Sequence, residues 1–172
     1  MRHSIIIWDP VVRVFHWTVA AAFLLNALIL EEGSELHEWA GYYVLSMLVI
    51  RVVWGLIGTH NARFANFFPS KLAIRTHIQE LISGNIPEDN GHNPLGAIMI
   101  FALLIGLALT GLSGWAIEGV FSGAHLAEEV HGFFANSTLV MVFMHVLAVV
   151  VFTLKGPRNL IAQMITGRVT RR

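Results

Sequence analysis

The sequence predicts an all-α, integral membrane four-helix bundle, running up-down-up-down with both termini cytoplasmic, and residues 1–172 read as a single membrane domain. Three observations predict it. The mean hydropathy is +0.65 and only 13% of residues are charged, too apolar for a soluble globule of this length. Four apolar stretches, at about 11–30, 37–58, 95–117 and 131–154, are each long enough to cross about 30 Å of hydrocarbon as a helix. Apart from Arg13 and Arg51 within the spans, Lys and Arg are confined to the two termini and the connection between spans two and three.

The first span opens on Asp9 and Pro10: the carboxylate caps free N–H groups and Pro suits the first helical position. Its apolar run is too long for a signal peptide and no small-residue cleavage site precedes Glu31, so it is expected to be retained. Ser34 is placed to cap the second span. After it, Pro69 and Ser70 introduce an amphipathic segment, 71–83, in which Leu72, Ile78, Leu81 and Ile82 alternate with polar residues; it is expected along the cytoplasmic interface. The run GNIPEDNGHNP, 84–94, is rich in turn residues and reads as a loop. The third span carries no intramembrane histidine and is expected to supply a wall.

Orientation follows from the cations. Arg2 and Arg13 lie at the start of span one, Arg63, Lys71 and Arg75 between spans two and three, and Lys155, Arg158, Arg168, Arg171 and Arg172 after span four; these regions are expected to face the cytoplasm. The opposite connections carry Glu31, Glu32, Glu35, Glu38, Glu118, Glu128 and Glu129 without a Lys or Arg. Trp8, Trp17 and Trp54 fall toward the first interface, and Trp39 and Trp115 toward the second, at headgroup level.

Composition excludes several chemistries. There is no Cys, which removes disulfides, thiolate zinc sites, iron–sulfur clusters and covalent c-type haem attachment. The formal net charge is zero, so nothing in the balance points to nucleic acid.

Four of the nine histidines enter the membrane: His16, His37, His131 and His145. Fourteen residues separate His131 from His145, about 40° short of four full turns and about 21 Å of rise, so they share one helix face at two depths. His37, at the outer end of span two, matches the depth of His131; His16, near the cytoplasmic end of span one, matches His145. Any one of them alone reads as an ordinary interfacial or buried histidine. Two depth-matched pairs instead suit two haem irons, each with an imidazole on either face and no position left open for oxygen. The competing reading is a haem-free transporter or proton relay using the same histidines, although the fourteen-residue separation keeps His131 and His145 from meeting at one ion. His3, His60, His77, His92 and His125 fall in termini, loops or the interfacial stretch and are expected to be solvated. Arg51, fourteen residues after His37 on nearly the same face, reads either as a partner of a haem propionate or as a side chain snorkelling to headgroups. Arg13 has the same two readings. Gly41, Gly106, Gly111, Gly114 and Gly132 would let backbone come close to a porphyrin or to a neighbouring helix.

WDPVVRVFHW at the start of span one, HEWAGYYVLSMLVIRVVWG through span two, GHNPLG before span three and HGFFANSTLVMVFMH in span four resemble the bacterial dihaem cytochrome b561 family, related to the b-type cytochrome subunit of nickel–iron hydrogenases. The resemblance covers nearly the whole chain. It implies two haem b groups ligated by His16, His37, His131 and His145, a multi-pass protein of the bacterial inner membrane, and electron transfer between the quinone pool and a redox partner. The partners expected are membrane lipid, a quinone or quinol, and a redox protein such as a soluble cytochrome c or an oxidoreductase subunit. Hydrogenase anchors are usually longer, and only 118–130 is available here for docking on the outer side. The acidic outer connections would repel superoxide and suit a basic partner.

Overall fold

The computed structural model describes residues 5–84, 93–119 and 124–169. Most of the turn-rich run 84–94, together with His3, His92, Arg2, Arg171 and Arg172, lies outside them. In order the chain forms β1 (Ile5–Ile6), α1 (Pro10–Leu28), α2 (Glu35–Ile57), a 3-10 turn at Phe64–Asn66, α3 (Lys71–Ile82), α4 (Pro94–Glu118), α5 (His125–Lys155), α6 (Leu160–Thr166) and β2 (Arg168–Val169). The molecule is an all-α membrane bundle: α1, α2, α4 and α5 are the four helices long and apolar enough to cross a membrane among the described residues.

The helix starts follow their caps. Asp9 accepts from the Val12 N–H at 3.0 Å and α1 begins on Pro10. Ser34 accepts from the His37 N–H at 3.3 Å, and Ser70 from the Ala73 N–H at 3.1 Å. α5 begins at His125, six residues before the expected span, because Glu128 and Glu129 lower the local hydropathy without breaking the helix.

The chain divides into two compact units. One comprises Val14–Val52 and Ala102–Phe143. Its core is Phe15, Val19 and Phe23, four residues apart along α1, with Val44 and Leu48 of α2 and Leu107 of α4. Apolar contact alone drives little helix association in lipid, so close approach matters more. Gly106 supplies it: a Cβ there would lie 2.6 Å from Met141 Cε and 2.7 Å from Thr138 Oγ1. Thr138 is wholly buried, and its hydroxyl meets that of Thr110 at 3.2 Å, joining α4 to α5. Large apolar side chains face outward, Leu28, Val49 and Phe143 each more than 60% exposed, as suits a surrounding lipid phase.

The other unit comprises Met1–Arg13, Val53–Phe101 and Met144–Arg172. Ile7, Trp8, Val12, Ala62 and Val169 form its buried cluster. Asp9 accepts from the Trp54 indole at 3.1 Å and the Thr59 hydroxyl at 2.6 Å, joining the start of α1 to the end of α2. Phe64, Phe67 and Phe68 gather round the Phe101 ring at 5.5–5.6 Å between centroids. Here the structure adds what hydropathy does not reveal. α6 follows α5, capped by Asn159 and ended by Gly167 at φ 76°. β2 then pairs antiparallel with β1, Ile5 opposite Val169, while the Ile7 and Trp8 N–H groups donate to the Gly167 carbonyl. Arg13 donates to the Ile165 carbonyl near the end of α6, where a cation suits the helix dipole. His77, expected to be solvated, is 4% exposed, because the face of α3 that carries it turns inward while Leu72 and Ile82 turn out.

Candidate functional site

His37 and His131 come together in the first unit. The Ser34 cap sets His37 in the first turn of α2, and the Asn26 side chain of α1 donates to the His37 carbonyl at 3.2 Å. His131 lies in the second turn of α5. The two ring centroids are 6.2 Å apart and the planes nearly perpendicular, at 77°.

The His131 Nδ1 lies 3.1 Å from the Thr110 carbonyl and 3.1 Å from Ser113 Oγ. The Ser113 hydroxyl itself donates to the Thr110 carbonyl at 2.9 Å. A carbonyl only accepts, so Nδ1 carries the ring proton and Nε2 keeps its lone pair. This is the tautomer a metal-ligating imidazole requires, held by a partner on its other nitrogen. His37 Nδ1 is buried without a hydrogen-bond partner.

Around the two rings opens a partly open cleft. Phe23, Leu107 and Trp115 give it apolar walls, and Gly41, Gly111 and Gly114 bring backbone to its edge. A Cβ at Gly41 would meet nothing within 4 Å, so α2 presents bare backbone to open space there. A Cβ at Gly114 would lie 3.1 Å from His131 Cε1, so α4 comes up against the imidazole. Among the described residues no three His, Cys, Asp or Glu side chains converge, whereas a bare zinc ion in a structural site takes four ligands. Two imidazoles at a cleft suit a metal whose other ligands arrive with a flat macrocycle.

The model of the prokaryotic cytochrome b561 family matches residues 7–167. The chain belongs to that family. It is therefore a multi-pass bacterial membrane protein and a b-type cytochrome acting in electron transfer, with haem b as its cofactor. Searches against curated proteins and against solved structures returned no match.

The cytochrome's residues fit haem at this cleft. Imidazole nitrogens bind a metal at about 2.0–2.1 Å, so two imidazoles on opposite faces of one iron have ring centres roughly 6 Å apart; His37 and His131 have that separation. The same unit holds Arg51, only 3% exposed, and His16, half-buried on α1 with its ring edge-on to Trp17. His145 is half-buried on α5 and belongs to the second unit.

Several residues at the cytochrome's cleft escape a reading of the sequence. Thr110 and Ser113 lie on the helix without an intramembrane histidine, yet hold the His131 proton. Tyr42 donates to Glu118, and both face the cleft. Of the candidate glycines, Gly41, Gly111 and Gly114 line the cleft, whereas Gly106 seats Thr138 and Met141. Gly41→Leu projects a side chain into open space, so the fold is expected to survive by circular dichroism while haem content per chain falls. Gly114→Val is expected to lower it further, because its methyls displace the His131 ring.

Proposed function

We propose that this cytochrome carries two b haems, one between His37 and His131 and one between His16 and His145, and passes electrons between the quinone pool and a redox protein at the bacterial inner membrane. The observation that carries the reading is the His37–His131 pair, 6.2 Å apart at a cleft, with the His131 proton engaged on the far side of its ring.

Bound there, haem b supplies a one-electron iron couple. The protein's part is to present a lone pair on His131 Nε2, fixed in direction by the Thr110 carbonyl and Ser113, and a second imidazole from the capped start of α2. With His37 and His131 both holding the iron, the site would suit electron transfer rather than oxygen binding. Arg51 is a buried cation, which supports a role in neutralising a haem propionate over snorkelling.

The second site rests on sequence: His145 follows His131 by fourteen residues on one uninterrupted helix, and His16 is its counterpart on α1. Both termini face the cytoplasm in this reading, as the cations require, and the 172 residues act as one membrane domain. The glutamates of the opposite connections suit a basic partner such as a soluble cytochrome c.

A reduced-minus-oxidised spectrum of detergent-purified protein, with haem extracted into pyridine, tests it. Two noncovalent low-spin b haems per chain are expected. One haem per chain would show that one histidine pair is wrong. None in a well-folded preparation would leave the histidines to a transporter or proton relay.

A further inference from the structure

α3 contributes no residue to the cleft, and its 12 residues run only about 18 Å, too short to cross about 30 Å of hydrocarbon. By residue count Lys71, Arg75, Ile78 and Ile82 fall a turn apart along one stripe, and all four are exposed. Leu72, beside the stripe, is 74% exposed and Ile82 81%. The carboxylate of the helix, Glu80, lies about 180° round the axis from Lys71, 4.0 Å from the buried His77. The outward face is therefore basic and apolar together, and the acid is on the other side.

The chain enters α3 at membrane depth. Phe68, just before the Ser70 cap, is 73% exposed, and its ring lies 5.5 Å from that of Phe101. Phe101 is about two turns into α4, whose 25 residues run about 37 Å, so it lies inside about 30 Å of hydrocarbon centred on that helix. Lys71 and Arg75 are like charges one turn apart, which repel, and among the described residues neither pairs with a carboxylate. An anion beside them relieves the repulsion, and the large apolar side chains need cover from water. A phospholipid with a net negative headgroup meets both needs, its acyl chains lying against Phe68, Leu72 and Ile82. A soluble anion meets only the first.

We propose that the outward face of α3 is a binding site for anionic phospholipid: Lys71 and Arg75 hold the headgroup, and Phe68, Leu72, Ile78 and Ile82 dip into the acyl boundary beside it.

The chain has no cysteine, so a fluorophore on Leu72→Cys reports this face alone. Labelled holoprotein in phosphatidylcholine bilayers is quenched with a small fraction of nitroxide-bearing phosphatidylglycerol or, separately, nitroxide-bearing phosphatidylcholine. Both are expected to quench, phosphatidylglycerol more strongly, with a preference that falls as salt rises. Lys71→Gln and Arg75→Gln are each expected to cut the preference by a factor of about five while quenching by phosphatidylcholine persists; Gln is a good helix former, so α3 is kept. Lys71→Arg and Arg75→Lys are expected to retain the preference. If labelled Leu72→Cys fails to hold haem, the same fluorophore on Ile82→Cys repeats the measurement. Equal quenching by the two lipids, or a preference that survives both changes to Gln, overturns the proposal. An equal loss in Lys155→Gln, an exposed cation outside α3, overturns it in favour of general surface charge. Quenching by neither lipid overturns it in favour of water or an acidic protein on this face. Inorganic phosphate that displaces phosphatidylglycerol better than chloride at equal ionic strength overturns it in favour of a free anion.

Discussion

His131→Ala is expected to lower the haem content from two b haems per chain to one, with the fold intact. The substitution removes the imidazole whose Nδ1 is bound to Thr110 and Ser113. It leaves a helix former in the second turn of α5, so the helix itself does not suffer. The groups it uncovers are the Thr110 backbone carbonyl, already bonded by Ser113, and the Ser113 hydroxyl, able to accept from water, which keeps the structural cost small. The loss is therefore one of binding, and one-ligand iron at this cleft would be held far more weakly. His37→Ala is expected to remove the same haem, and the double variant to lose no more than either single one, since two residues acting as a unit are not additive. His145→Ala should remove the other haem. Pyridine extraction and circular dichroism, measured together, separate loss of haem from loss of fold; retention of both haems in His131→Ala would sink the assignment.

Asp9→Ala is expected to produce the largest loss of stability among single changes outside the cleft. The carboxylate accepts from the Val12 N–H at the start of α1, the Trp54 indole and the Thr59 hydroxyl. A lost N-cap costs about 1 kcal/mol and lost bonds to a charged group about 1.5–3 kcal/mol each, before water replaces part of them; on the order of 3 kcal/mol is expected. Partial burial pushes the Asp9 carboxyl up, but the donors from Thr59, Val12, Trp54 and Val11 together outweigh it and hold the group below its ordinary value. The sign follows. The unfolded chain binds the proton more tightly, so the stabilisation is fully present above about pH 4 and is lost as pH falls through the lower folded value. Asp9→Asn keeps one acceptor and should recover part of the loss while abolishing the acid dependence. Thermal unfolding in detergent across that pH range measures both, and equal acid sensitivity in Asp9→Asn would exclude Asp9 as the source.

The spans were legible because lipid leaves a strong signal: long apolar runs bounded by charge. The caps at Asp9, Ser34 and Ser70 were legible for a local reason, since each bond is made within three residues. Depth also brought His37 and His131 into register, because rise along a helix is fixed by residue count. Rotation about the helix axis is not so fixed. The bonds of His131 to Thr110 and Ser113, and of Tyr42 to Glu118, depend on which faces of α2, α4 and α5 turn together, and no spacing in one segment reveals that. His77 shows the same limit, since an amphipathic pattern gives two faces without saying which one turns inward. α6 did leave a trace, Asn159 before it and Gly167 after it, in a segment too short to stand out by hydropathy.

The pairing of β1 with β2 bears on how the protein is made. The strand that precedes α1 is synthesised before α1, α2, α4 and α5, and the strand it pairs with after these four. Insertion of the helices into lipid can proceed one after another as the chain emerges, but this clasp cannot close until the whole set has been delivered. Its closing makes the most distant pairing along the described chain, and a chain stalled before Gly167 would leave the Ile7 and Trp8 N–H groups without that acceptor.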